Sequence, residues 1–208
     1  SPDLRGQLLD ANVARLDAVI YTHDHADHVH GIDDLRMIVI NMRARLPVWA
    51  NKNTQKTLHS RFGYTFIQPE GSAYPPILDM NTIDGDVCID GAGGPITFTP
   101  FEVKHGSINA LGFKIDNIAY LPDVSEIPDD VWPQLNNLDC WIVDALRRDP
   151  HPTHSHLAQT LEWIERVQCK TAVLTNMHND LDYETVAAET LDHIQPAFDG
   201  MTLKFPTR

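Results

Sequence analysis

The sequence predicts an α/β fold in which sheets are covered by outer helices. Short β-rich segments alternate with amphipathic ones along the whole chain. Asp116-Asn117 between two apolar runs signals a hairpin, and no internal repeat or low-complexity tract interrupts the pattern. The 208 residues are enough for one domain, 1–208, with a substantial core.

The elements follow in order. Leu16 to Thr22 (LDAVIYT) reads as a strand, and HDHADH follows as a loop. Ile32, Leu35, Ile38, Val39 and Met42 recur at helical spacing. Pro47 to Ala50 is a short strand, and Asn53 is placed to cap a helix that stops at Gly63. Residues 68–95, rich in Pro, Gly and Asp, read as a long excursion. Ile96 to Val103 is a strand, and Leu111 to Ile115 and Ile118 to Leu121 form the hairpin. A strand at Cys140 to Val143 precedes an amphipathic helix at His156 to Val167, with Leu157, Leu161, Ile164 and Val167 on one face. A strand at Thr171 to Thr175, a helix at Tyr183 to Ile194 and a last strand at Thr202 to Phe205 complete the pattern.

Composition narrows the partners. The formal net charge of −13 repels long nucleic acid and anionic membrane, and no local basic patch offsets it. No apolar run would span a bilayer, and the start Ser-Pro-Asp-Leu-Arg lacks the features of a secretory signal, so a cytoplasmic location is expected. Cys88, Cys140 and Cys169 are odd in number and include no CxxC pair, which argues against a disulfide framework or a thiolate zinc site. Cys140 reads as buried filler.

The histidines carry the chemistry. Thr22-His23-Asp24-His25-Ala26-Asp27-His28 lies directly between a strand and a helix. In an extended segment alternate residues face one way, so His23, His25 and Asp27 converge and His28 can turn back. Imidazole and carboxylate both bind borderline divalent metals, with zinc bonds of roughly 2.0–2.2 Å. Four such side chains in six positions exceed what one ion needs from one loop, which favours two adjacent ions. A second cluster, His151-Pro152-Thr153-His154-Ser155-His156, precedes a predicted helix that Thr153 or Ser155 could cap, a place suited to phosphate. Asp144, at the end of the preceding strand, either orients a histidine or simply ends the strand. His59 and His193 read as structural or surface residues, and His30 as a neighbour of the loop or a surface residue.

His-Asp-His-Ala-Asp-His matches the HxHxDH signature, and the chain resembles the metallo-β-lactamase superfamily. The resemblance continues in order through Val103-Lys104-His105-Gly106, Tyr120-Leu121-Pro122-Asp123 and Leu174-Thr175-Asn176-Met177-His178, and is greatest for the branch of phosphoribosyl cyclic phosphate diesterases. It implies an αββα sandwich with two divalent ions, zinc or manganese. His23, His25 and His105 would hold the first ion, Asp27, His28 and His178 the second, and Asp123 would bridge. Asn176 occupies a place where relatives often carry histidine. The resemblance further implies a histidine as proton donor to the leaving group; His154 matches best, with His156 the alternative. Catalytic residues are therefore expected at His154, Asp27 and His156.

The implied reaction is hydrolysis of a small phosphodiester, cyclic or nucleotide-like, by metal-activated water. Thioester or lactone hydrolysis at the same metals is the first rival, and a metal- or ligand-binding domain without turnover is the second. The expected partner is a small phosphate ester; a homodimer is compatible with the sequence. Members of the superfamily normally carry several strands before the HxHxDH loop, whereas about twenty residues precede it here. The chain is accordingly expected to be a C-terminal portion of a longer protein, lacking its first strands.

Overall fold

A computed structural model describes residues 1–205 of the chain. It divides into two compact units, Ser1–Ile96 and Thr97–Arg208.

The first unit contains α1 (Leu4–Asp10), β1 (Val19–Ile20), α2 (Ala26–Val29), α3 (Leu35–Met42), β2 (Leu46–Ala50), α4 (Lys52–Phe62), β3 (Leu78–Thr82) and β4 (Val87–Gly91). Its three-stranded sheet has the order β1-β2-β3, with parallel pairing throughout. In β2 alternate residues Leu46, Val48 and Ala50 are fully buried, the period of two of a strand with one face on the core. Ile32, Leu35, Leu58 and Leu78 pack with them into one apolar cluster. Asn51, rather than Asn53, caps α4: its backbone is extended and its side chain accepts a 2.9 Å hydrogen bond from Thr54 N–H. The expected excursion over 68–95 contains β3 and β4, whose alternation the surrounding Pro, Gly and Asp residues obscure.

The second unit contains most of β5 (Gly94–His105), with β6 (Ile108–Ile115), β7 (Ile118–Leu121), β8 (Cys140–Asp144), α5 (Leu157–Val167), β9 (Ala172–Thr175), α6 (Tyr183–Glu189) and β10 (Ile194–Pro196). One sheet carries the order β10-β9-β8-β7-β6-β5. The hairpin β6–β7 turns at Asp116, which adopts φ 50°, and its pairing is antiparallel. From β7 to β10 the pairing is parallel, with α5 linking β8 to β9 as a crossover requires. Consequently the ends of β7, β8 and β9 all point the same way, and Asp123, Asp144 and Asn176 emerge together. Ile164, Leu157 and Val167 of α5 join Trp141, Val143 and Leu174 in the core.

Two expectations near the C-terminus fail. Residues 202–205 form no strand, and the helix starting at Tyr183 stops at Glu189, giving way to β10. Ser155 and Thr153 do not cap α5 either. The Ser155 hydroxyl donates instead to the Asp144 carbonyl at 2.8 Å, and His156 is the N-cap residue without a side-chain cap hydrogen bond.

Candidate metal centre

The HDHADH segment is built from two local conformations. His25 is extended, with φ −68° and ψ 154°, and the helical turn α2 begins at Ala26. Strand-like alternation therefore applies to His23 and His25 only, whereas Asp27 and His28 are presented by the helical turn. His23 is buried, with its Nδ1 3.0 Å from the Thr22 hydroxyl. Its ring lies 4.6 Å from that of His25 and 4.4 Å from that of His28. His28 Nε2 approaches Asp27 Oδ2 at 3.2 Å. Ligand atoms of His23 and His25 lie within 4.8 Å of each other, as do those of Asp27 and His28. Arg61 donates to the Asp24 carbonyl at 3.2 Å, which ties the loop to α4. His30 packs edge-on against Phe62, and the His59 ring lies tilted against that of Phe66, both consistent with structural roles.

In the second unit His105, the last residue of β5, and Asp123, just beyond β7, are both buried. His105 Nε2 lies 3.3 Å from Asp123 Oδ2. The other ring nitrogen, Nδ1, donates to the Thr153 carbonyl at 2.6 Å. That bond sets the tautomer and leaves the Nε2 lone pair for a metal, the arrangement expected of a ligating histidine. Gly106 makes it possible. It takes φ 60°, and a β-carbon there would collide with the Thr153 side chain. Thr153 acts through its backbone and so left no signal in the sequence.

His154 sits beside this pair. Its Nε2 is 4.0 Å from Asp123 Oδ2, its ring 4.6 Å from that of His105, and its Nδ1 2.9 Å from Asp144 Oδ2. Asp144 is fully buried, and the same oxygen accepts from Val124 N–H at 3.1 Å. Burial pushes the Asp144 carboxyl up to about 6, opposed by its hydrogen bond to His154. His151 stacks 5.2 Å from His154, and burial, then His154 and Arg147, hold its imidazole below the usual range. Between the two candidates for proton donor, His154 lies against Asp123, while His156 starts α5. The Leu157 amide at that helix start already donates to the Arg147 carbonyl at 2.8 Å, which removes one of the N–H groups expected for phosphate.

His178 departs from its expected place. Its side chain is 57% exposed and its Nδ1 lies 3.0 Å from Asp180 Oδ1. The cause is a left-handed residue directly after β9: Asn176 has φ 59°, so the chain turns there, and His178 N–H is tied to the Leu146 carbonyl. Asn176 is the residue that faces the site, donating from Nδ2 to Asp123 Oδ1 at 3.3 Å.

The donor chemistry in both units fits divalent ions: buried imidazoles, one with its tautomer set by a backbone carbonyl, and a buried carboxylate. Comparison with known proteins gives the class. The family described as "Beta-lactamase superfamily domain" matches residues 1–177, and the chain belongs to it. It has the metallo-β-lactamase fold. A crystal structure of a diphosphatase from the PhnP family is 34% identical, with a TM-score of 0.88 over 99% of this chain and 78% of that one. Zinc-bound PqqB from Methylobacterium extorquens, 17% identical over 99% of this chain and 81% of its own, shares the fold with a TM-score of 0.73. A curated relative from Porphyromonas gingivalis (strain ATCC BAA-308 / W83), named octanoyltransferase, is 32% identical over 205 residues. The match takes in 97% of this chain but spans only 40% of that relative's length. Among the described residues no helix is long and apolar enough to cross a membrane.

Proposed function

We propose that the chain is a two-metal hydrolase of small phosphodiesters, cyclic or nucleotide-like. In this reading His23, His25, Asp27 and His28 of the first unit and His105 and Asp123 of the second would supply the metal ligands. Zinc or manganese, when bound, would polarise a phosphoryl oxygen and acidify a water molecule. The observation that carries the reading is the His154–Asp144 pair against Asp123, in a chain 34% identical to a diphosphatase. With Nδ1–H donated to Asp144, the His154 ring is oriented and its Nε2 is left to hold a proton. From there it delivers that proton to the departing alkoxide. Asp27, more exposed than Asp123, is free to accept a proton from the attacking water through its outer oxygen. The formal charge of −13 disfavours an extended polyanion, so a small ester is the better substrate than a long nucleic acid. The cytoplasm is the proposed compartment, in keeping with Cys88, Cys140 and Cys169 as free thiols.

The name octanoyltransferase on a relative favours a second reading, hydrolysis of an acyl thioester at the same residues. The deciding experiment compares turnover of a small cyclic phosphodiester, an octanoyl thioester and structured RNA at moderate salt. The phosphodiester should be hydrolysed fastest. Thioester turnover far above it would select the second reading, and RNA cleavage without small-diester activity would refute the substrate assignment.

A further inference from the structure

Within the second unit a cavity of about 450 Å³ lies at the end of β9, in the size range of small-molecule sites, roughly 300–1,000 Å³. Two segments line it. Thr175, Asn176 and Met177 come from the end of β9, and Phe198, Gly200 and Met201 from the chain after β10. Asn176 joins the cavity to the site, because its Nδ2 lies 3.3 Å from Asp123 Oδ1 and 3.5 Å from His154 Nδ1. Met177 packs against the core and so anchors the first segment. The second segment is a tight turn. Met201 N–H donates to the Phe198 carbonyl at 3.0 Å, and Gly200 takes φ 86°, as the third residue of a type II turn requires. Tyr183 meets Phe198 in a T-shaped contact, with ring centroids 6.1 Å apart, yet Phe198 stays 56% exposed. The turn thus holds an aromatic surface open beside polar groups that reach the site.

We propose that this cavity takes the base of a nucleoside-containing substrate, an inference that rests on the phosphodiester reading above and narrows it. A nucleobase has flat faces that stack and an edge that forms hydrogen bonds. Phe198 offers a ring for one face, with the Met177 and Met201 side chains beside it. The Thr175 hydroxyl and the Asn176 amide carry donors and acceptors suited to the edge. An acyl chain has no such edge and would desolvate these polar groups without pairing them, so the cavity disfavours it. Stacking discriminates poorly between bases, so purine and pyrimidine esters should both be accepted.

The test uses the metal-loaded full chain and two five-membered cyclic phosphodiesters, a nucleoside 2′,3′-cyclic phosphate and glycerol 1,2-cyclic phosphate, which lacks the base. Wild type should prefer the nucleoside ester in kcat/KM by ~10–100-fold, mainly through a lower KM. Phe198→Ala should remove most of that preference by raising KM for the nucleoside ester ~10-fold, whereas Phe198→Trp should keep it. A second readout needs no turnover. Calorimetric binding of a nucleoside monophosphate should weaken ~10-fold in Phe198→Ala, while binding of inorganic phosphate should keep its wild-type affinity. Equal kcat/KM for the two esters in wild type, or a preference that survives Phe198→Ala, would overturn the proposal and leave the phosphodiester reading intact. Hydrolysis of neither ester would overturn that reading and the proposal with it.

Discussion

The proton-donor assignment depends on one imidazole and one carboxyl group. Replacing His154 by Ala should lower turnover of a diester with a poor leaving group by ~10²–10⁴-fold, while metal content stays unchanged. A diester with a good leaving group should lose far less, because its alkoxide leaves without protonation. Equal losses on both would assign His154 to substrate positioning. Asp144 adds a pH dependence. Burial raises its carboxyl from 3.8 to about 6, so the folded state binds this proton more tightly than the unfolded chain does. The resulting stabilisation is present in full below the unfolded value and is lost as the pH rises through about 6. Above that, the buried charge costs on the order of 2–3 kcal/mol. In urea unfolding of metal-stripped protein, Asp144→Asn should therefore gain on wild type as the pH rises from about 4 to about 7. A difference that moves the other way would mean that the pairing with His154 outweighs burial and holds the Asp144 carboxyl below its unfolded value. The same substitution should reduce turnover, because it weakens the group that orients His154.

Strands and helices matter here as carriers of those residues. β7, β8 and β9 run parallel, and their common ends bring Asp123, Asp144 and Asn176 to one edge of the sheet. α5 holds that edge from behind: Ile164 is 2% exposed within the core. Ile164→Ala should destabilise the protein by about 2–5 kcal/mol in equilibrium unfolding, against about 1 kcal/mol for removal of the α4 cap in Asn51→Ala. If the two losses were similar, α5 would not be packed as described. Elements with a strong period were legible in the sequence, and α5 and the β6–β7 hairpin fall close to where their patterns put them. The HDHADH loop was legible because three imidazoles and two carboxylates seldom crowd into six positions without a cation to hold. β3 and β4 were hidden by Pro, Gly and Asp, whose turn preference masks a short strand. β10 was hidden because the residues after Tyr183 keep a helical spacing beyond Glu189, where the helix ends. The outward turn of His178 was not legible, since it depends on one left-handed residue, Asn176, that the sequence permits but does not require. Thr153 left no trace because it contributes a carbonyl that every residue has.

At the scale of the whole molecule, an acidic chain with a net charge of −13 gathers imidazoles in a few short segments, with His23 and His105 buried. Bound cations would reverse the local sign and draw in a small phosphate ester that the remainder of the surface repels. They would also stabilise the fold, since an ion that binds only the folded chain adds to its stability by mass action. The central claim is that hydrolysis of a small phosphodiester depends on metal held by these residues. The most direct measurement follows turnover of a cyclic phosphodiester while chelator-stripped protein is reloaded with zinc and manganese, with His105→Ala carried in parallel. The account predicts negligible turnover without metal, recovery in proportion to metal bound, and loss of both the first ion and the activity in His105→Ala. Full turnover by the metal-free protein, or by a His105→Ala variant lacking its ion, would contradict it.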